Sequence, residues 1–271
     1  MSRHSLRKPQ AAAFGQHLLR DSAVAERIIT STGLAPPSLV FDLGAGNGVL
    51  TAAVARKGCR AVAVELDRAL WRNLKHRFQH EPLVDVVLGD LLQVELPRRA
   101  RYTVISNVPF ALTARLMRRL QQLPNPPADT WLVLQEEAAQ KWCGLGHETL
   151  ASVLLKLRFE VDVVLALRRT DFAPRPAVNS VVVHLRLRPR PLLVGPDARR
   201  FEALVRRAFA GPESVHARET SFDDWIVGFR AQLDRRPGAT RHRPRPAAAT
   251  TLAPGFSPGS RRPSPRAARR E

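Results

Sequence analysis

The chain is poor in cysteine, poor in lysine and without a long apolar run, and each shortage excludes something. Its two cysteines, Cys59 and Cys143, are too few for a disulfide framework or a zinc site, so both are expected to be reduced and structural. His76 and His80 stand four apart on an expected helix. No third ligand accompanies them, so a solvated helix face is the preferred reading and no metal is expected. No apolar run reaches about 18 residues, so no bilayer-spanning helix is expected. Met1 to Gln10 is basic, but no signal-type apolar segment follows, and a cytoplasmic location is the expectation.

What is abundant is arginine. Of 43 basic residues only five are lysine, within 271 residues carrying a formal charge of +19. Arginine grips phosphate with two parallel N–H groups and stacks on bases, which suits nucleic acid. A GC-rich genome would account for choosing arginine over lysine, but not for the net charge. A polyanion is therefore the expected partner, bound through counterion release along a phosphate backbone. An anionic membrane is the competing polyanion.

Apolar runs rich in β-branched residues alternate with helical patterns. Strands are expected at Ser38–Leu43, Ala61–Glu65, Asp85–Leu88, Tyr102–Ser106 and Trp131–Gln135. Helices are expected at Gly48–Arg56, Arg68–Gln79, Leu112–Gln122 and Glu148–Leu157. Two late strands, Val161–Leu167 and Val178–Leu187, have no helix between them. This pattern predicts an α/β fold, a doubly wound Rossmann-like sheet with an antiparallel edge strand. After Pro189 the period changes: Asp197–Phe209 and Ser221–Leu233 read as amphipathic helices of a small C-terminal domain. The expected division is 1–190, 191–234, and a tail, 235–271, that is expected to be disordered. That tail has ten Arg, seven Pro and one acidic residue, giving +9 of the net charge.

Asp42-Leu43-Gly44-Ala45-Gly46-Asn47-Gly48 joins a strand to a helix, the usual cradle for a nucleotide. A dinucleotide fingerprint would place its third glycine at position 49, which is Val; here it is Gly48. Asp42 would repel a pyrophosphate but suits a cationic amino-acid ligand. Glu65, ending the next strand, can accept both ribose hydroxyls, and Asp90 can meet an adenine edge. Singly, Glu65 and Asp90 read as helix caps. Together, at the ends of successive strands, they point to S-adenosylmethionine, which carries an ammonium and a sulfonium but no phosphate.

Asn107-Val108-Pro109-Phe110 closes a later strand. Alone it is a common strand-to-turn step. Beside a methyl donor it suits a flat heterocycle with an exocyclic amine. The Asn107 side-chain oxygen and the Val108 carbonyl can accept from both N–H groups of an adenine N6, which favours a more tetrahedral nitrogen. Pro109 fixes φ and Phe110 can stack on the base. Rate then comes from positioning and electrostatics, with the base out of its stack.

Gly15-Gln16-His17-Leu18-Leu19, Asp42 to Thr51, Ala63-Val64-Glu65-Leu66-Asp67, Gly89-Asp90, Asn107 to Phe110 and Phe172-Ala173-Pro174-Arg175-Pro176-Ala177-Val178 occur in this order. As a set they resemble the ribosomal RNA adenine N6-methyltransferases, over about residues 10 to 230. The resemblance implies that His17 and Leu19 close over the cofactor. It also implies that Gly44, Gly46, Glu65, Asp90 and Asn107 bind it, and that Phe110 and Phe172 sandwich the target adenine. A loop anchor beside prolines is the other reading of Phe172.

Departures are His17 for the family's usual Asn, Leu18 for Phe, Phe110 for the commoner Tyr, and Glu136 in a Gln-Glu-Glu where Gln-Lys-Glu is usual. The first three argue against the housekeeping small-subunit subgroup, and the tail resembles resistance enzymes of high-GC actinobacteria. The expected activity is mono- or dimethylation of a 23S rRNA adenine in the drug-binding region, before full ribosome assembly, by a monomer, giving macrolide-lincosamide-streptogramin B resistance. A 16S rRNA dimethyltransferase is the alternative. A non-catalytic RNA-binding or transcription factor on the same fold is the second alternative. Truncation after Asp234 should weaken RNA binding and flatten its salt dependence while methyl transfer at saturating RNA survives. An unchanged salt slope would make the tail a solvated appendage.

Overall fold

The parallel strands are short, β-branched and apolar on both faces, and that is what lets helices cover them on both sides. In the computed structural model, which describes residues 17–234, seven strands form one sheet. They are β2 (Leu39–Leu43), β3 (Arg60–Glu65), β4 (Val84–Leu88), β5 (Thr103–Asn107), β6 (Asp129–Gln135), β7 (Phe159–Leu167) and β9 (Ser180–Leu187). Two short strands, β1 (Leu18–Leu19) and β8 (Phe172–Ala173), pair antiparallel with each other.

The order across the large sheet is β4-β3-β2-β5-β6-β9-β7, with β2 to β6 parallel and β9 antiparallel to both neighbours. The antiparallel strand is therefore one place in from the edge, because β9 returns between β6 and β7. The chain winds outward from β2 to β4, then crosses back to place β5 on the other side of β2. That reversal opens a crevice between the carboxyl ends of β2 and β5, where such sheets bind ligands.

Alternation along each strand divides the core in two. Val104, Leu132, Leu134 and Val183 face α4 (Thr113–Gln122), which buries Leu116, Met117 and Leu120. Val40, Ile105, Trp131 and Val133 face α1 (Ser22–Thr32) and α2 (Val49–Arg56) through Ile28, Ile29, Leu50 and Val54. α3 (Arg68–Arg77) starts where the Asp67 side chain accepts from the Ala69 and Leu70 amides. It ends before His80, so the expected His76–His80 pair does not share a helix.

α1 and α5 (Glu136–Cys143) were not expected from the sequence; both end on a left-handed glycine, Gly33 and Gly144. α6 (Leu150–Lys156) carries a Thr149–Ser152 capping box. Three helices follow: α7 (Gly195–Ala210), the unexpected α8 (Ser214–Glu219) and α9 (Phe222–Asp234). Phe201 and Phe229 meet edge to face, with centroids 5.2 Å apart, and are buried as core. The expected Arg/Pro-rich tail lies outside the described residues. Among the described residues no helix is long and apolar enough to cross a membrane.

Candidate active site

The glycine turn is built by its neighbours. The Gly44 and Ala45 amides both donate to the Val64 carbonyl, at 2.8 and 3.0 Å, which folds the end of β2 against β3. The Gly46 amide donates to Glu65 Oε2 at 2.8 Å, and the Asp67 amide to Oε1 at 2.8 Å. Glu65 is 3% exposed, so a carboxylate at the tip of β3 is held between two main-chain donors. Gly46 has φ +58°, and a methyl group added there would lie 2.7 Å from Leu18 Cδ2. The left-handed backbone therefore favours glycine, and a side chain there would also have to displace the tip of Leu18.

Beside this turn is a cavity of about 500 Å³ whose wall includes Gly44, Glu65, Asp90, Leu91, Pro109, Leu112 and Arg115. Its size and its mostly apolar walls with a few carboxylates suit a nucleoside. Asp90 opens a tight turn: its Oδ1 accepts from the Leu92 amide at 2.8 Å, and its carbonyl accepts from Gln93 and Val94. The side chain thus caps a local turn and also stands on the cavity wall. Leu66, Leu91, Leu112 and Arg115 are wall residues that sequence reasoning missed. Leu66 left a faint signal, being an apolar residue between two acidic ones that stays 60% exposed.

A second, narrow crevice of about 10 Å³ adjoins it, lined by His17, Leu18, Gly44, Gly46 and Asn107 to Phe110. Asn107 ends β5, and its Nδ2 donates to the His17 carbonyl at 2.7 Å. That bond commits the amide's nitrogen and leaves its oxygen for another donor. Pro109, at φ −55°, accepts from the Leu112 amide at 2.8 Å and opens the 3-10 turn that carries Phe110. His17 Nδ1 donates to the Pro174 carbonyl at 2.8 Å, and its ring lies 5.2 Å from that of Phe110. The N-terminal segment thus touches both the Asn107–Phe110 and the Phe172–Pro174 segments.

Three expected placements are corrected. Phe172 is 2% exposed and packs among Leu19, Trp131 and Leu167, because β8 turns it inward and Ala173 outward. It anchors its loop in the core, and it does not line the crevice that Phe110 lines. Leu19 is also 2% exposed in that cluster, and Leu18, one residue earlier, covers Gly46. Leu19 reaches the site only through its carbonyl, which accepts from Asn47 Nδ2 at 3.2 Å. Asp42, expected to face a cationic ligand, is 1% exposed and lies on the α2 side, where Oδ2 accepts from Thr51 Oγ1 at 2.6 Å.

Burial pushes the Asp42 carboxyl up to about 7, against the opposing pull of the Thr51 hydrogen bonds, and leaves Oδ1 without a partner. Its folded pKa is thus above the unfolded 3.8, so its stabilising contribution is complete below that value and is lost as pH rises through about 7. Asp42→Asn should therefore flatten the fall in urea-unfolding free energy across that window. Parallel curves for the two proteins would contradict the burial of an acid at this position.

Residues 8–215 match the family model described as ribosomal RNA adenine dimethylase. The ribosomal RNA small subunit methyltransferase A of Synechococcus sp. (strain JA-3-3Ab) is 34% identical over 73% of this chain and 74% of its own length. The rRNA adenine N-6-methyltransferase of Aeromicrobium erythreum is 34% identical over 76% of this chain and 61% of its own length. Among solved structures, the 23S rRNA methyltransferase ErmE superposes with a TM-score of 0.67 at 27% identity, covering 78% of this chain and 84% of that one.

Proposed function

The chain belongs to the ribosomal RNA adenine dimethylase family, and from that premise we propose that it methylates an adenine N6 of 23S rRNA in the drug-binding region, conferring macrolide-lincosamide-streptogramin B resistance. It is an S-adenosylmethionine-dependent rRNA adenine methyltransferase. The residues present fit that donor: a nearly buried Glu65 with a second lone pair on each oxygen, a glycine turn with a left-handed backbone at Gly46, and Asp90 beyond them. When bound, S-adenosylmethionine supplies an electrophilic methyl group on a sulfonium.

The chain's own residues do the rest by placement. Glu65 accepts from the ribose hydroxyls and Asp90 from the adenine amine of the donor. The Asn107 oxygen and the Val108 carbonyl receive the two N–H groups of the target amine, and Phe110 offers its face to the base. The narrow crevice at Asn107–Phe110 must widen to admit that base. Three helices, α7 to α9, and the basic tail provide the RNA-binding part of a cytoplasmic monomer that meets rRNA before full ribosome assembly.

The observation carrying the large-subunit reading is the likeness to the 23S rRNA methyltransferase structure over most of both chains. His17, Leu18 and Phe110, which depart from the housekeeping pattern, support it. The small-subunit methyltransferase A relative, 34% identical against 27% for the 23S rRNA methyltransferase structure, favours a second reading, dimethylation of 16S rRNA. Mass mapping of both rRNAs after expression tests the two. The expected result is methylated adenine in the drug-binding region of 23S rRNA, reduced about 10²–10³-fold in rate by Asn107→Ala. Modification confined to 16S rRNA would establish the second reading.

A further inference from the structure

No motif contains Arg119, yet it reaches the wall of the donor cavity from the far side. It sits on α4, the helix that begins directly after the turn carrying Phe110. Its Nη1 donates to the Leu91 carbonyl at 2.6 Å and its Nη2 to the Val94 carbonyl. Within residues 90–94 the other bonds are local: Asp90 Oδ1 accepts from Leu92, and the Asp90 carbonyl from Gln93 and Val94. Two carbonyls of that turn thus end on one guanidinium. A planar fork with paired N–H groups can hold both at a fixed spacing, which a single ammonium cannot.

The held segment is the part of the wall that faces a base. Asp90, Leu91 and Leu92 line the cavity, and Leu91 is 7% exposed, with its Cδ2 3.3 Å from where a side chain at Gly44 would begin. Burial lowers the guanidinium's pKa, while the nearby Tyr102 and Asp90 act the other way. Removing the guanidinium leaves two carbonyls to find other donors, and the turn can then shift.

We infer that Arg119 is a positioning residue for the methyl donor: it fixes the Asp90–Val94 turn, and hence the adenine wall, to the helix that also carries the Asn107–Phe110 loop. The inference rests on the reading that the cavity takes the adenosine half of S-adenosylmethionine. Through α4, the donor's base and the acceptor's stacking face share one rigid element.

The test is calorimetric binding of S-adenosylhomocysteine to the full chain, with methyl-transfer kinetics at varied donor and varied RNA. Arg119→Gln should weaken S-adenosylhomocysteine about tenfold, roughly the loss of one net hydrogen bond, and raise the donor KM in step while the RNA KM holds. Arg119→Lys, which keeps one donor head, should fall between. Should Arg119→Gln fail to fold, the lysine variant alone decides, since an affinity equal to wild type overturns the inference. An unchanged affinity in Arg119→Gln, or donor and RNA KM rising together, also overturns it. Asp90→Asn distinguishes the two levels: if it weakens binding while Arg119→Gln does not, only the role of Arg119 falls. If neither variant changes binding, the cavity reading falls with it.

Discussion

The site depends on how one buried carboxylate is satisfied. Glu65 ends β3 at 3% exposure, and a carboxylate so placed must have donors on both oxygens. It takes them from the main chain, one amide from the turn after β2 and one from the start of the α3 cap. Both bonds satisfy the carboxylate, and each also fixes a neighbour: the Gly46 bond holds the Gly44–Gly48 turn against the end of β3, and the Asp67 bond shapes the step from β3 into α3. The cavity and the approach of Leu18 over Gly46 are built on that turn, and the pairing of β5 with β2 sets Asn107 beside it across the sheet reversal.

Around this fixed centre the acceptor side is assembled from three separated segments. His17 contributes a carbonyl to Asn107, a ring nitrogen to the Pro174 carbonyl and a ring face to Phe110. The pairing of β1 with β8 holds His17 there, and the burial of Leu19 and Phe172 holds the pairing. The inward turn of Phe172 thus has a structural purpose: its ring keeps the N-terminal segment seated. Of the two phenylalanines, the one that lines the crevice is Phe110.

Much of the sheet was legible because the short apolar runs at Leu39–Leu43, Arg60–Glu65 and Thr103–Asn107, the last two richer in β-branched residues, carry their own signal. The reversal of order placed Gly44, Glu65, Asp90 and Asn107 around adjoining cavities, and their shared position at strand ends was readable from spacing alone. α1 was not legible because Ser22–Thr32 is rich in Thr, Ser and Ile, and it is held by the Asp21 and Gly33 caps and by burial of Ile28 and Ile29. β1 and β8 are two residues each, too short to show a period, so which of Leu18 and Leu19 faced the site could not be read. Arg119 was invisible for another reason: its partners are carbonyls, and no sequence pattern records which carbonyl a side chain will reach.

In the proposed function Glu65 both builds the turn and receives the donor's ribose. The most direct measurement is calorimetric titration of S-adenosylhomocysteine into the wild type and Glu65→Gln, with circular dichroism confirming that the variant is folded. The account predicts at least about a tenfold loss of affinity in the folded variant, because an amide has one oxygen to offer where the carboxylate offers two. Wild-type affinity in folded Glu65→Gln would contradict it.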